Sequence, residues 1–338
     1  MKVLILTPTR LPDLTGNAMT AERLRFGLEK EGIKVEVIRS DSPHLPSKLT
    51  AFKPDIIHAL HAKKSGLTAM DCSRLQKIPF LVTITGTDLY RDLLDSNRND
   101  TSLVLEATGA VVVYSNLTLD RLKSELPNIP AKTRVINKAV HFNETSTKDI
   151  SSPKKAAFLL PSGIRPVKAP SFAIEPLEKL KKEFPHISLT VAGPRLDDGE
   201  WELFSRKSKG KDWIRHFTVS HDEMPDIYRE ADIVLNTSIS EGLSNAVLEA
   251  MYFGRPVLAS NCEGNMAAIE NGKEGLLYKN GDEEDFINKA RLLLRDPAVR
   301  LKLGRNGKEK ILHEHSLDGE INAHISLYKE LLKAGKKP

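Results

Sequence analysis

The chain has 338 residues, 40% of them hydrophobic and 28% charged, with 50 Lys and Arg against 45 Asp and Glu for a net charge of +5. That length suits two hydrophobic cores better than one, and the composition is that of a soluble globular protein. The mild basicity fits polyphosphate ligands or an anionic membrane surface, but no dense Lys/Arg block interleaved with aromatics occurs, so a nucleic-acid partner is excluded. Cys72 and Cys262 share no disulfide or metal-like spacing, which points to a reducing compartment and a cytoplasmic protein. The apolar run of Met1–Thr7 stops at Pro8, too short for a signal peptide or a spanning helix, and no later run approaches the required length.

In chain order, short aliphatic runs alternate with helical patterns. Strands are predicted at Val3–Leu6, Val35–Ile38, Ile56–His58, Phe80–Ile84, Ala110–Val113 and Arg134–Ile136. Helices are predicted between them at Ala18–Glu31, Lys64–Gln76 and Asn116–Glu125. Residues 143–155 are polar and lack apolar anchors; they read as a linker, or as a long surface loop within one domain. A second series has strands at Ala157–Leu160, Ser188–Ala192, Ile214–Phe217, Ile233–Leu235, Val257–Ala259 and Gly275–Leu277, with helices near 170–183, 223–230, 243–253 and 283–294. The stretch from Asp296 to Lys333 reads as helix throughout. The rhythm is α/β: right-handed crossovers and two tandem Rossmann-like, doubly wound parallel sheets, with ligands expected in an interdomain cleft at the carboxyl ends of the strands. The expected domains are 1–150, 156–316 and a closing helix at 317–338.

The most telling segment is Ser240-Glu241-Gly242-Leu243-Ser244-Asn245-Ala246-Val247-Leu248-Glu249-Ala250-Met251. A helix beginning at Leu243 places Glu241 in the loop at its mouth and Glu249 about two turns in, roughly 8–9 Å along the axis. A diphosphate at the helix N-terminus would take free N–H groups and the positive dipole end, with a carboxylate on either side for sugar hydroxyls. Otherwise Glu241 is a solvated loop residue and Glu249 an exposed helix position, though the apolar neighbours of Glu249 leave little room for a polar face. Earlier, Gly163 turns the chain after a strand, and Arg165 and Lys168 follow. A guanidinium fork and an ammonium can clamp a diphosphate whose charge grows as a glycosidic bond breaks; solvated basic residues are the alternative.

Three further loops carry polar residues. Thr15-Gly16-Asn17 is not a Gly-x-Gly-x-x-Gly fingerprint, so no nicotinamide or flavin cofactor is expected. Gly16 either lets backbone approach a ligand or lies in a plain turn with Asn17 or Thr15 capping the helix. His58 and His61 lack zinc spacing and read as structural or substrate-contacting. Thr85, Thr87 and Asp88 either hold a sugar or acceptor hydroxyl or, for Asp88, cap a helix.

The two-domain rhythm, the Gly163/Arg165/Lys168 loop and the Glu241…Glu249 pair resemble the retaining glycosyltransferase family four, which has the GT-B fold. Thr15–Arg23 and Ser238–Gly242 look closest to the glycosyltransferase-1-domain-containing-protein-1-like branch. The resemblance implies a metal-independent hexosyltransferase that moves a sugar from a nucleoside diphosphate, UDP above others, to an unknown acceptor, with no cofactor. It implies that Glu241 binds the transferred sugar, Glu249 the nucleotide ribose, and Arg165 and Lys168 the diphosphate, aided by backbone N–H groups at Leu243, Ser244 and Asn245. Gly16 would lie beside the phosphates, the backbone from Phe217 would face the base, and the last helix would pack back on the first domain. Thr85, Asp88, His61 and Asn17 are candidate acceptor or sugar contacts. Two departures stand out: Thr85 occupies the place of a family histidine, and Arg165 and Lys168 are three apart rather than five. A nucleotide-sugar epimerase or hydrolase, or a non-catalytic binding protein, is the alternative. The basic tail of Lys333, Lys336 and Lys337 suits a membrane surface or a solvated helix end.

Overall fold

The computed structural model describes residues 1–13, 15–94, 98–142 and 156–334. The strands are β1 Lys2–Thr7, β2 Lys34–Arg39, β3 Ile56–Leu60, β4 Phe80–Thr83, β5 Ala110–Val113, β6 Thr133–Val135, β7 Ala157–Pro161, β8 Ser188–Ala192, β9 Ile214–Phe217, β10 Ile233–Asn236, β11 Val257–Ser260 and β12 Gly275–Tyr278. The helices are α1 Gly16–Lys30, α2 Leu45–Phe52, α3 Gly66–Gln76, α4 Arg98–Ala107, α5 Asn116–Glu125, α6 Ile174–Lys181, α7 Asp198–Ser208, α8 Met224–Glu230, α9 Asn245–Tyr252, α10 Glu263–Ala268, α11 Glu283–Arg295, α12 Pro297–Glu314 and α13 Leu317–Ala334. The chain forms two compact units, one of Met1–His141 with His315–Pro338, the other of Phe142–Glu314.

The first unit is a six-stranded sheet in the order β2-β1-β3-β4-β5-β6; its pairings are all parallel, as between Val3 and Val35 or Ile57 and Phe80. Parallel strands need crossovers that cover both faces, which is why β3 and β5 are buried along their whole length. Successive residues of β1 feed opposite layers. Val3 and Ile5 pack with Leu24, Leu28, Ile321 and Tyr328, and Leu4 and Leu6 with Met70, Val104 and Leu122.

Buried polar bonds tie α13 to this unit. Arg23 forks onto Glu320 at 2.7 and 3.0 Å, and Ala139 N–H donates to the same carboxylate at 3.1 Å. Burial alone would push the Glu320 carboxyl up, but the Arg23 guanidinium and the Ala139 N–H hold it below the ordinary glutamate value. Tyr328 Oη lies 2.8 Å from His58 Nδ1, and His58 Nε2 lies 2.7 Å from Thr83 Oγ1. Burial pushes the His58 imidazole well down, so it is neutral.

The second unit repeats the plan with the order β12-β11-β10-β7-β8-β9, again parallel. Its core gathers Phe158, Leu160, Ile174, Leu189, Ile233, Leu258, Tyr278 and Phe286. No helix among the described residues is long and apolar enough to cross a membrane.

Several expectations need correction. The stretch 296–333 is two helices, because His315 between them bonds elsewhere: its carbonyl accepts from Val140 N–H at 3.1 Å and its Nδ1 lies 2.6 Å from the Lys138 carbonyl. The helix expected near 170–183 is a 3₁₀ turn at Pro170–Ala173 followed by α6. Helices α2, α4, α7 and α10 were not anticipated. The first unit closes at His141 and resumes at His315, and the ring of Phe142 stacks on His221, 4.8 Å away, in the second unit; the expected boundary at 150 lies outside the described residues. The expected linker at 143–155 and the tail residues Lys336 and Lys337 lie outside the described residues.

Replacing Arg23 with Met leaves Glu320 as a buried charge without its partner, and is expected to cost about 3–5 kcal/mol in denaturant unfolding. The carboxyl is depressed in the folded state, so the pair's stabilisation is full above the ordinary glutamate pKa of about 4.3 and fades as pH falls through the lower folded value. The gap between Arg23→Met and the parent protein should therefore be widest near neutrality and narrow in acid.

Candidate active site

Strand β10 is apolar through Leu235 and then turns polar while remaining buried: Asn236, Thr237 and Ser238 are all nearly sealed from solvent. Buried polar groups must be paired, and these pair with one another and with the segments after β7 and β11. Thr237 Oγ1 donates to the Lys168 carbonyl at 2.7 Å and Ile239 N–H to the Val167 carbonyl at 2.9 Å. These bonds bind the Arg165–Lys168 turn to the loop that carries Glu241.

Glu241 is the focus of this network. Its Oε1 accepts from Lys168 Nζ in a short ion pair, from Ser238 Oγ at 2.7 Å and from Asn236 Nδ2 at 3.3 Å. Its Oε2 has no partner among the described residues. Burial pushes this carboxyl up, but the Lys168 ammonium and the hydroxyl and amide donors outweigh it and hold the group below the ordinary value. Glu241 is thus an anchored carboxylate with one acceptor to spare. Helix α10 presses against its backbone: a Cβ on Gly264 would lie 2.5 Å from the Glu241 carbonyl oxygen, so only glycine permits this approach.

Helix α9 begins at Asn245, two residues later than expected. Ser244 is extended at φ −72°, ψ 117°, and Leu243 is buried. The Ser244 hydroxyl accepts from Asn236 Nδ2 at 2.9 Å and makes no capping bond. The first N–H groups of a helix have no partner inside it, so this end keeps its donors and its positive dipole for an anion. Glu249 is consequently the fifth helical residue, about 6 Å from the helix start rather than 8–9 Å. Tyr228 Oη donates to Glu249 at 2.9 Å, and His221 Nε2 lies 3.8 Å from its other oxygen. Gly163 passes Leu196 so closely that a Cβ would fall 2.6 Å from Leu196 Cδ1. Two residues on, the Arg165 Nε is buried with no hydrogen-bond partner among the described residues. Phe217 ends β9 half-buried, its carbonyl accepting from Gly193 N–H at 3.0 Å.

The second unit therefore joins Arg165, Lys168, Glu241 and Ser244 in one bonded set of loops at the carboxyl ends of β7 and β10. Sequence reasoning missed Asn236, Ser238, Ser260, Asn265 and Tyr228. The signal was present for the first two: a polar run closing a buried aliphatic strand.

In the first unit, Thr15 caps α1 by accepting from Ala18 N–H at 3.3 Å; Asn17 is inside the helix and half-buried, and Gly16 is exposed. Asp88 does not cap a helix: Thr87 holds the N-cap position of the turn Asp88–Asp92. Asp88 is 1% exposed, and its carboxylate accepts from the N–H groups of Ala62, Thr85 and Gly86 at 2.7–3.1 Å. It welds the loops after β3 and β4 together. His61 also serves those loops. It is buried in a left-handed conformation (φ 84°), its Nδ1 accepts from Lys64 N–H at 3.2 Å, and its Nε2 lies 3.0 Å from Thr87 Oγ1. Accepting at Nδ1 puts the neutral ring's proton on Nε2; burial pushes its pKa down against the pull of Asp88. Thr85 is half-buried with its N–H held by Asp88. Among the described residues, no group of three or more His, Cys, Asp or Glu could hold a metal.

The family model for glycosyl transferases group 1 matches residues 142–310. The chain is 24% identical to glycosyltransferase 1 domain-containing protein 1 of Xenopus tropicalis over 97% of both chains. It is 26% identical to the D-inositol 3-phosphate glycosyltransferase of an Arthrobacter species, over 87% of this chain and 72% of that one. Among solved structures it resembles Anabaena HepE in complex with UDP and glucose, at a TM-score of 0.82 and 18% identity, covering 98% of this chain and all of the other. That likeness gives the fold, GT-B.

Exchanging Lys168 for Met removes the strongest force opposing burial at Glu241. Carbon-13 NMR titration of the glutamate side chains should find the Glu241 pKa raised from its depressed position to at least the ordinary value.

Proposed function

The chain belongs to the glycosyl transferases of group 1, and we propose that it transfers a sugar from UDP to an acceptor hydroxyl with retention of anomeric configuration. The observation that carries this reading is the pairing, within one bonded set of loops, of an uncapped helix start and an unpartnered guanidinium with a carboxylate that keeps one oxygen free. A diphosphate needs the first two and a sugar hydroxyl the third. The UDP seen with HepE supports the choice of base.

On this reading the diphosphate meets the N–H groups of Asn245 and its neighbours, Arg165 from the facing loop, and Lys168 as it turns from Glu241. Glu241 Oε2 accepts from a hydroxyl of the transferred sugar, and Glu249, held by Tyr228, accepts from the ribose. The bond from the anomeric carbon to the β-phosphate oxygen breaks, and its electron pair leaves with UDP. The acceptor oxygen bonds to the same face of that carbon, and its proton passes to the departing phosphate oxygen. The cations act most strongly at that moment, because the leaving group then carries its full charge. Orientation supplies the remainder of the rate.

Three measurements test this. Calorimetry with UDP, GDP and ADP should find UDP bound and Arg165→Met weakened by about tenfold or more, since a hydrogen bond to a charged group is worth about 1.5–3 kcal/mol. With a UDP-sugar and its acceptor, Glu241→Gln should lower kcat/KM by roughly 10- to 150-fold on the same figure and leave UDP affinity near that of the parent. NMR of the product's anomeric carbon should show the donor's configuration; inversion, or release of free or epimerised sugar without acceptor, contradicts the reading.

A further inference from the structure

We propose that Asn236, locked in one orientation by Asn265, is the positioning residue that aims Glu241; this rests on the reading of Glu241 as the sugar-binding carboxylate. Asn236 sits at the end of β10 and is 5% exposed, and Asn265 sits on α10 and is fully buried. The Asn236 carbonyl oxygen accepts from Ser238 N–H and from Asn265 Nδ2, each at 3.0 Å. With Oδ1 committed, the amide nitrogen must face the other way, where it donates to Glu241 Oε1 at 3.3 Å and Ser244 Oγ at 2.9 Å. A flipped amide would set an oxygen against the carboxylate.

Asn265 is itself fixed. Its Nδ2 also reaches the carbonyl and hydroxyl oxygens of Ser260 at 3.0 and 3.2 Å, at the end of β11. Gly264, the residue before it, lets α10 touch the Glu241 backbone. The orientation of Glu241 is thus passed along Ser260–Asn265–Asn236, through side chains that are buried and need not contact a substrate.

The chain of bonds has a purpose that Lys168 cannot serve. A cation that turns to a diphosphate no longer holds Glu241. Asn236 and Ser238 carry no charge that a phosphate would claim, so they keep Oε1 anchored and Oε2 directed outward while Lys168 is engaged. Asn236 also occupies the Ser244 hydroxyl and so keeps the start of α9 uncapped.

The test is a double-mutant cycle of Asn236→Ala and Asn265→Ala on the full chain, read by the Glu241 carboxyl titration in carbon-13 NMR and by the pH profile of transfer. Each single variant should raise the Glu241 pKa, move the acid limb of kcat to higher pH and lower kcat about tenfold. The double variant should go no further than Asn236→Ala alone, because the two residues act in series. Additive effects, or an Asn265→Ala protein whose Glu241 titrates as in the parent, overturn the proposal. If Asn265→Ala does not fold, Asn265→Thr keeps similar bulk without the amide donors and is read in the same way. The NMR readout needs no substrate. A parent protein that ignores UDP-sugars would refute the assigned function and leave the pKa coupling standing, and the converse result would refute the coupling alone.

Discussion

A carboxylate cannot be sunk among strand ends unless its charge is met, and meeting it at Glu241 organises the second unit's carboxyl edge. Three donors from two stretches of chain converge on Oε1: Lys168 after β7, and Asn236 and Ser238 at the end of β10. Together they hold the group ionised against its burial. Because they share one oxygen, they also set the plane of the carboxylate and leave the other oxygen unclaimed. A group held at one end and open at the other is pre-organised to bind, with little left to order when a ligand arrives.

Parallel sheets make such a site accessible to evolution at little structural cost. Every strand in each unit points its carboxyl end the same way, so the loops that follow meet along one edge. In the second unit those loops are tied by side chain to backbone bonds, Thr237 to the Lys168 carbonyl among them. In the first unit the corresponding loops after β3 and β4 are tied by Asp88 and His61. Those two polar residues are spent on building the edge, which leaves Thr85 and Thr87, both half-buried, as the more open groups of that segment.

The strands were legible because a parallel strand covered on both faces is an unbroken aliphatic run, and Ala110–Val113 or Ser188–Ala192 can be read directly. Helix starts were less legible. Leu243 and Ser244 have the composition of a first turn, but a hydrogen bond from Asn236, eight residues earlier, holds the serine extended. The break at His315 depends on bonds to Lys138 and Val140, which no local pattern reveals. Glu241, Arg165 and Lys168 could be picked out by residue type and spacing; Asn265 could not, because its role exists only through a partner 29 residues away. The loop-bridging role of Asp88 was hidden for the same reason, since one of the amides that its carboxylate accepts from, Ala62 N–H, lies 26 residues earlier.

The decisive observation is a crystal structure of the protein with an intact, non-hydrolysable UDP-sugar. It should show the diphosphate against the first N–H groups of α9 and the Arg165 guanidinium, with a sugar hydroxyl within hydrogen-bond distance of Glu241 Oε2 and Asn236 still donating to Oε1. A nucleotide lodged away from Asn245, or a Glu241 carboxylate that reaches no sugar oxygen, would contradict the account.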